Sequence, residues 1–292
     1  MTTFKFLPKI KLTKDLAFQI FKYSVYILLS MNIYYFFVDD YRASAQTFAN
    51  GIAPDQLIQA FTATIDTLAW VILLLLFELE TYVLDDKKLR GSLKYTMRFI
   101  SILCYSFIIY SFYGYISKYV MLQTIIPLTQ DICNLVGTSF TYLDEIDEYL
   151  PITQEICQSY LNTPVFQIVG TEILTVESNL IEAQRLSTIE VMNSGNWLLI
   201  VFILEAEVYL QLRGRLTTKM MLASKWIKGV LYTILLFAAI YWGVKGDFID
   251  FWDAFLWLVA FIFIELNIFE WNAETQEEAG QSKLQTKSDG NA

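Results

Sequence analysis

The chain of 292 residues is 55% hydrophobic and only 17% charged, with a mean hydropathy of +0.42. It carries 30 Asp and Glu against 21 Lys and Arg, and it has no histidine. The lack of histidine excludes His-ligated haem, zinc sites built on His and Ser-His-Asp triads. Because Gly-rich phosphate loops, Cys-x-x-Cys pairs and nucleophile elbows are also missing, the sequence does not favour an enzyme.

Six apolar blocks of about 20 residues, the length that crosses a ~30 Å hydrocarbon layer, follow one another along the chain. They cover 16–38, 63–84, 96–117, 196–212, 226–244 and 252–269. We therefore predict an all-α polytopic membrane protein with six transmembrane helices, whose first partner is the lipid bilayer.

Basic residues indicate the orientation of these spans. They concentrate before the first span, in the connection 85–98 and in the connection 213–228. The positive-inside rule then predicts an integral protein of the cell (inner) membrane with both termini in the cytoplasm. The acidic connections that face outward are 39–62, 118–195 and 245–252. Because this topology accounts for the basic residues, nucleic-acid binding is unsupported.

The even-numbered spans share one pattern of tryptophan and acidic residues, beginning with the segment "WVILLLLFELETY". Its three copies are Asp66-x3-Trp70-x7-Glu78-x-Glu80-x-Tyr82, Asn193-x3-Trp197-x7-Glu205-x-Glu207-x-Tyr209, and Asp253-x3-Trp257-x7-Glu265-x-Asn267-x-Phe269. Five matched positions at one spacing predict an internal repeat. The odd-numbered spans match more weakly, through a lysine followed by an aromatic residue at Lys22-Tyr23, Lys94-Tyr95 and Lys225-Trp226.

The repeat predicts three pseudo-equivalent helical hairpins, each made of an odd and an even span. The predicted units are a cytoplasmic basic arm 1–15, hairpins 16–84, 85–212 and 213–272, and a disordered cytoplasmic tail 273–292. The second hairpin contains an external insert, 122–195, between spans three and four. Its regularly interspersed acids indicate a mostly helical cap.

Two of the three cysteines lie in this insert, within a short duplication. "PLTQDIC" ends at Cys133 and "PITQEIC" ends at Cys157. Proline followed by Thr and an acid is typical of a helix start, so two equivalent helices joined by a Cys133–Cys157 disulfide are expected. Cys104 falls within the third span and is expected to be an apolar core residue.

Carboxylates inside the spans are the main functional candidates. Ionisable groups at this depth face protein or water and are candidates for ion pathways. A helix rise of 1.5 Å per residue puts Glu78, Glu205 and Glu265, here called the span glutamates, ~12 Å from their tryptophans. The same rise puts them ~18 Å from Asp66, Asn193 and Asp253, here called the mouth residues, which mark the outer mouth. A second set, Glu80, Glu207 and Asn267, is expected to turn toward adjacent helices.

The span glutamates are predicted to converge on one axis as the inward set of one cation- or proton-binding site, which also includes the second set. Carboxylate oxygens bind in this way in hard-cation sites and acidic pores. The predicted function is a cation or proton transporter or channel, with no cofactor other than a bound cation of unspecified identity. A structural role is the alternative, in which the glutamates pair with a Lys or Arg such as Lys22, Arg98 or Lys228, or bond to Tyr and Ser on a neighbouring helix. A second alternative is a non-catalytic assembly subunit that docks a protein partner through the insert 122–195. The sequence leaves a homo-oligomer open, and it predicts the tryptophans to be packing or interface residues.

Overall fold

The chain folds into a bundle of long helices that carries a small β-sheet at one end. The computed structural model describes residues 14–47, 51–54, 56–80, 91–144, 148–245 and 248–265. Its helices are α1 (Lys14–Thr47), α2 (Leu57–Ala60), α3 (Thr62–Glu78), α4 (Ser92–Met121), α5 (Gln154–Ser159), α6 (Glu177–Leu212), α7 (Thr218–Lys245) and α8 (248–265). Its strands are β1 (Ile125–Pro127), β2 (Thr141–Leu143), β3 (Tyr149–Pro151), β4 (Val165–Ile168) and β5 (Ile173–Val176).

Within the described residues, four helices are long and apolar enough to cross a membrane. They cover Leu16–Ala45, Ser92–Met121, Glu177–Gln211 and Thr218–Lys245. These helices support an integral membrane protein, as predicted. Helices α3 and α8 occupy the other two apolar blocks but are shorter in the described part of the chain.

All six of these helices share one apolar core. Each helix contributes at least one fully or nearly fully buried residue to it. In chain order these are Leu29, Leu74, Ile108, Ile200, Leu235 and Ala260. Helices α3 and α8 therefore contribute to this core as the longer helices do, and the described residues place six helices in one bundle.

The insert is a β-sheet rather than the helical cap that the sequence predicts. Its five strands run in the order β1-β4-β5-β2-β3, with β2 and β5 parallel and the other neighbours antiparallel. Strands of three or four residues are too short to show an alternating pattern, which is why the helical interpretation was wrong. The β-branched and aromatic residues of β4 and β5 favour a sheet, and Gly170 between them takes a φ of 81°.

Helix α6 starts well before its predicted span. It begins at Glu177 and runs for 36 residues, about 54 Å at 1.5 Å per residue, which exceeds the ~30 Å hydrocarbon layer. Its first turns therefore support the sheet, since β5 ends where α6 begins. We call residues 122–144 and 148–176 the sheet domain.

The duplicated segments do not form equivalent helices. The first forms a 3-10 helix, Ile132–Leu135, and the second forms α5. Both cysteines nevertheless lie at disulfide distance, with Cα atoms 4.9 Å apart, as predicted. Cys157 is fully buried in a core with Tyr142 and Leu174, so the disulfide holds the two segments against the sheet.

Candidate functional site

Glu78 lies in a buried ion pair at the end of the bundle opposite the sheet domain. Its Oε1 accepts hydrogen bonds from Lys22 Nζ at 2.6 Å and from the Tyr23 hydroxyl at 3.0 Å. Its Oε2 accepts one from the Tyr26 hydroxyl at 3.3 Å. These donors compensate the carboxylate, so the contacts of Glu78 are those of the structural alternative.

Lys228 compensates the charge of two other carboxylates, as Lys22 does for Glu78. Its Nζ lies 2.9 Å from Glu207 Oε2 and 2.9 Å from Glu265 Oε1, and it is almost fully buried. The Tyr232 hydroxyl donates to the same Glu265 oxygen at 3.2 Å. One lysine of α7 therefore joins α6 to α8.

The other residues that the sequence analysis named at this end of the spans have different surroundings. Glu205 is exposed on the bundle and accepts a hydrogen bond from the Tyr105 hydroxyl at 3.0 Å. Glu80 and Arg98 are also exposed. Asn267, Tyr82 and Phe269 lie outside the described residues.

Each span glutamate is contacted by a tyrosine of the odd-numbered span that precedes it in the chain. These odd-numbered spans are helices α1, α4 and α7, called the odd helices below. The three pairs are Tyr26 with Glu78, Tyr105 with Glu205, and Tyr232 with Glu265. Four residues before each tyrosine, on the same helix face, lie Lys22, Ser101 and Lys228. The odd helices therefore match in a different register from the lysine–aromatic pairs seen in the sequence. The signal that sequence reasoning missed is a tyrosine four residues after two buried lysines, Lys22 and Lys228, and one partly buried serine, Ser101.

The three mouth residues line a cavity of about 1390 Å³ between the helices and the sheet domain. Asp66 and Asp253 come from the second turns of α3 and α8, and Asn193 comes from the middle of α6. Among the residues that the structure describes, the span glutamates do not line this cavity. The structure thus brings together the mouth residues, whereas it places each span glutamate against its own odd helix.

Acidic side chains outnumber basic ones around this cavity. Its eight carboxylates are Asp39, Asp40, Asp66, Glu148, Glu172, Glu190, Asp250 and Asp253. Its three basic residues are Arg42, Lys118 and Lys245, which leaves five carboxylates in excess among the described lining residues. We call it the acidic cavity. A concave surface of one charge sign concentrates ions of the opposite sign.

Several of these charged residues have structural partners at the rim. Asp40 Oδ2 accepts from the Thr64 amide at 2.9 Å and from its hydroxyl at 2.6 Å, which caps the start of α3. Lys118 pairs with Glu190 at 3.1 Å. These contacts connect α1 to α3 and α4 to α6, so the rim stabilises the packing of the helices.

The side-chain oxygens of the mouth residues accept fewer hydrogen bonds than those of the rim residues. Asp253 Oδ1 accepts one hydrogen bond from Asn32 Nδ2 at 2.7 Å. Asp66 Oδ1 and Asn193 Oδ1 are buried oxygens that meet no hydrogen-bond donor within the described part of the chain. The Asp66 and Asp253 carboxylates are close enough to interact electrostatically. The indole N–H of Trp70 donates toward the Asp66 carboxylate and that of Trp257 toward the Asp253 carboxylate, so each of these two mouth residues is held by the tryptophan one helical turn after it.

Tryptophans form the wall beside these polar groups. Trp70, Trp197 and Trp257 each follow a mouth residue by four positions and line the acidic cavity. The ring centroids of Trp70 and Trp257 lie 6.2 Å apart, and Phe261 contacts Trp197 at 4.5 Å. All three tryptophans are largely buried, which agrees with their predicted packing role.

The described residues contain no group of three or more Cys, Asp or Glu side chains arranged to hold a metal ion. No protein-family model, curated protein or solved structure matches the chain.

Proposed function

We propose that this chain is a membrane transport protein that takes up a cation or proton in the acidic cavity, through Asp66 and Asp253. The observation that carries the proposal is the juxtaposition of these two carboxylates on a cavity with excess negative charge. Two carboxylates close together in low dielectric require a proton or a cation to compensate them. The function is the one that the sequence predicts, but the acting carboxylates are the mouth residues rather than the span glutamates.

The proposed topology has six spans, both termini in the cytoplasm of the cell (inner) membrane, and the sheet domain outside. The positions of α3 and α8 in the shared core support six spans. The distribution of Lys and Arg supports the orientation. In this orientation the acidic cavity opens toward the outside, beneath the sheet domain, and receives its cation there.

Repeated burial along the odd helices supports three equivalent hairpins. Counting from Lys22, Ser101 and Lys228, the residues seven positions later are all fully or nearly fully buried: Leu29, Ile108 and Leu235. The residues ten positions later are buried as well: Asn32, Ser111 and Ala238. The residues fourteen positions later are aromatic and line the acidic cavity: Phe36, Tyr115 and Trp242. Three helices with one burial pattern favour a threefold arrangement around the cavity.

The ion pairs at the end of the bundle opposite the sheet domain favour one type of transport mechanism. Buried ion pairs fill the bundle away from the cavity. They join Lys22 to Glu78, and Lys228 to Glu207 and Glu265. A route for ions through this end would require these pairs to separate. The arrangement therefore favours a carrier that opens one end at a time over a permanently open pore.

Flux measurements in proteoliposomes test the proposal. The purified full chain is reconstituted, and uptake of protons, Na⁺, Ca²⁺ and methylammonium is followed under an imposed gradient. Asp66→Asn and Asp253→Asn each remove one charge with little change of shape. Each should reduce flux at least about tenfold, because the cation or proton loses one of the two negative charges that attract it. Glu155→Gln, at an exposed position on α5 away from the cavity, is the control and should leave flux unchanged.

Two results would contradict the proposal. One is unchanged flux in the Asp66→Asn/Asp253→Asn double variant, provided that the variant is folded by thermal unfolding. The other is the absence of flux of all four probes in the unmodified protein. That second result would favour the assembly subunit that docks a partner through 122–195.

A further inference from the structure

We propose that the turn between α6 and α7 binds the headgroup of an anionic phospholipid. The site is formed by Arg213 and Arg215 on the turn itself, with basic residues of α4 beside it. It lies at the end of the bundle opposite the sheet domain, away from the acidic cavity. Unpaired basic side chains, a fixed turn and exposed aromatic residues carry the proposal, which does not depend on the transport function.

Basic residues without acidic neighbours in sequence surround this turn. The segments 91–103 and 208–227 contain six Lys and Arg and no Asp or Glu. Five of the six are exposed and form no ion pair with a carboxylate that the structure describes: Lys94, Arg98, Arg213, Arg215 and Lys219. Glu207, the nearest carboxylate before the turn on α6, is bonded to Lys228. The unpaired charges attract phosphate groups, which arginine binds through two parallel hydrogen bonds.

The packing of α4 against α6 brings Arg98 to the level of the turn. Helix α4 begins and α6 ends at the same end of the bundle, so the two helices run antiparallel. The Tyr105 hydroxyl contacts Glu205. Arg98 lies seven residues before Tyr105, and the end of α6 lies seven residues after Glu205, which is ~10.5 Å along each helix. Arg98 therefore lies beside the turn, and Lys94 lies one helical turn farther out.

The turn itself has a defined conformation. Gly214 takes a φ of 63°, its amide donates to the Gln211 carbonyl at 2.8 Å, and the Arg215 amide donates to the Leu210 carbonyl at 2.9 Å. These bonds close the end of α6 in the way that a glycine ends many helices. The Arg213 guanidinium lies over the Tyr209 ring, 4.5 Å from its centroid. A headgroup thus meets two arginines on an ordered backbone, which lowers the entropy cost of binding.

The ends of two candidate spans place the turn at a membrane surface. One span ends at Gln211 and the next begins at Thr218, on either side of the turn. Three aromatic residues of this end are more than half exposed, as is typical of the membrane interface: Tyr95, Tyr209 and Trp226. Because the basic groups lie at the bilayer surface, the phosphate groups within their reach are those of lipids. Each Lys or Arg next to a membrane helix strengthens the binding of anionic lipid by about fivefold.

Thermal unfolding of the full chain in a neutral detergent tests the proposal. Phosphatidylglycerol, phosphatidylcholine and soluble glycerol 3-phosphate are each titrated into the purified protein. We expect phosphatidylglycerol to raise the Tm in a saturable way, and phosphatidylcholine to act with an affinity at least about fivefold lower because it has no net charge. Glycerol 3-phosphate should leave the Tm unchanged. Native mass spectrometry should show phosphatidylglycerol retained on the protein.

Variants locate the lipid. Arg213→Gln and Arg215→Gln should each weaken phosphatidylglycerol binding about fivefold, and the double variant about 25-fold, because each removes one positive charge. Arg185→Gln, at an exposed arginine of α6 near the sheet domain, is the matched control and should bind the lipid normally. Arg215→Gln keeps the test valid if Arg213→Gln, which loses the contact with Tyr209, does not fold.

Three results would overturn the proposal. Equal affinity for phosphatidylcholine and phosphatidylglycerol would show that the negative charge of the lipid does not matter. Equal stabilisation by glycerol 3-phosphate would identify a site for soluble anions instead of a lipid. Normal phosphatidylglycerol binding in the Arg213→Gln/Arg215→Gln double variant would place the lipid elsewhere. None of these results bears on flux through the acidic cavity, so the lipid site and the transport proposal fail separately.

Discussion

Lys22 Nζ lies 2.6 Å from Glu78 Oε1, and the two side chains expose only 1% and 5% of their surface. The pair joins α1 to α3, and two tyrosine hydroxyls complete the hydrogen bonding of the carboxylate. Removing two charges from water is unfavourable, so such a pair depends on good geometry and on these additional donors. This contact explains why a glutamate can lie within an apolar segment without binding an ion.

Glu78→Gln should lower the stability of the protein, because it leaves the buried Lys22 ammonium without its counter-charge. Removal of one partner from a buried ion pair typically destabilises by about 3–5 kcal/mol. The Tm in detergent should therefore fall by roughly 6 °C or more. Glu205→Gln is the matched control, since Glu205 is exposed and accepts only one hydroxyl hydrogen bond in the described structure. Equal losses of Tm in the two variants would contradict the ion-pair assignment.

Lys228→Met should destabilise the bundle more than Lys219→Met. Lys228 bonds two carboxylates on two other helices, whereas Lys219 is exposed in the first turn of the same helix. Without the lysine, Glu207 and Glu265 face each other uncompensated, at a cost of about 3–5 kcal/mol. Thermal unfolding of the two variants measures the difference, and similar Tm values would show that Lys228 does not hold α6 to α8.

Loss of the disulfide should destabilise the sheet domain. The Cys133–Cys157 link closes a loop with a sequence separation of 24, for which chain-entropy estimates give about 3 kcal/mol. Cys133→Ser should increase hydrogen exchange in β2 to β5, while Cys104→Ser, in the helical core, should leave these strands protected. Mass spectrometry without reductant should show the peptides of Cys133 and Cys157 linked, and free thiols at both positions would contradict the pairing.

The proposed topology predicts which positions a membrane-impermeant thiol reagent reaches. In a Cys104→Ser background, Glu155→Cys on the sheet domain should react in intact cells. Lys219→Cys, at the other end of the bundle, should react only after the membrane is permeabilised. Labelling of both positions in intact cells, or the reverse pattern, would overturn the proposed orientation.

Much of the membrane architecture can be read from the sequence, because the bilayer imposes a length and a composition on every span. The apolar blocks therefore coincide with the long helices, and the cysteine duplication indicates the pairing of Cys133 with Cys157. Tryptophan spacing places Trp70, Trp197 and Trp257 each on the same helix face as the mouth residue four positions before it, since that relation depends only on the helical period. These features are local, and local patterns survive in a linear sequence.

Contacts between distant segments decided the rest. The sheet pairs strands too short to show a period, and its order β1-β4-β5-β2-β3 depends on long-range hydrogen bonding. The choice of Lys22 for Glu78 and of Lys228 for Glu265 follows from how the helices pack. The position of Asp66 and Asp253 on one cavity likewise arises only when α3 and α8 meet. Depth along a helix is set by residue number, but which side chains face one another is set by the packing of whole helices.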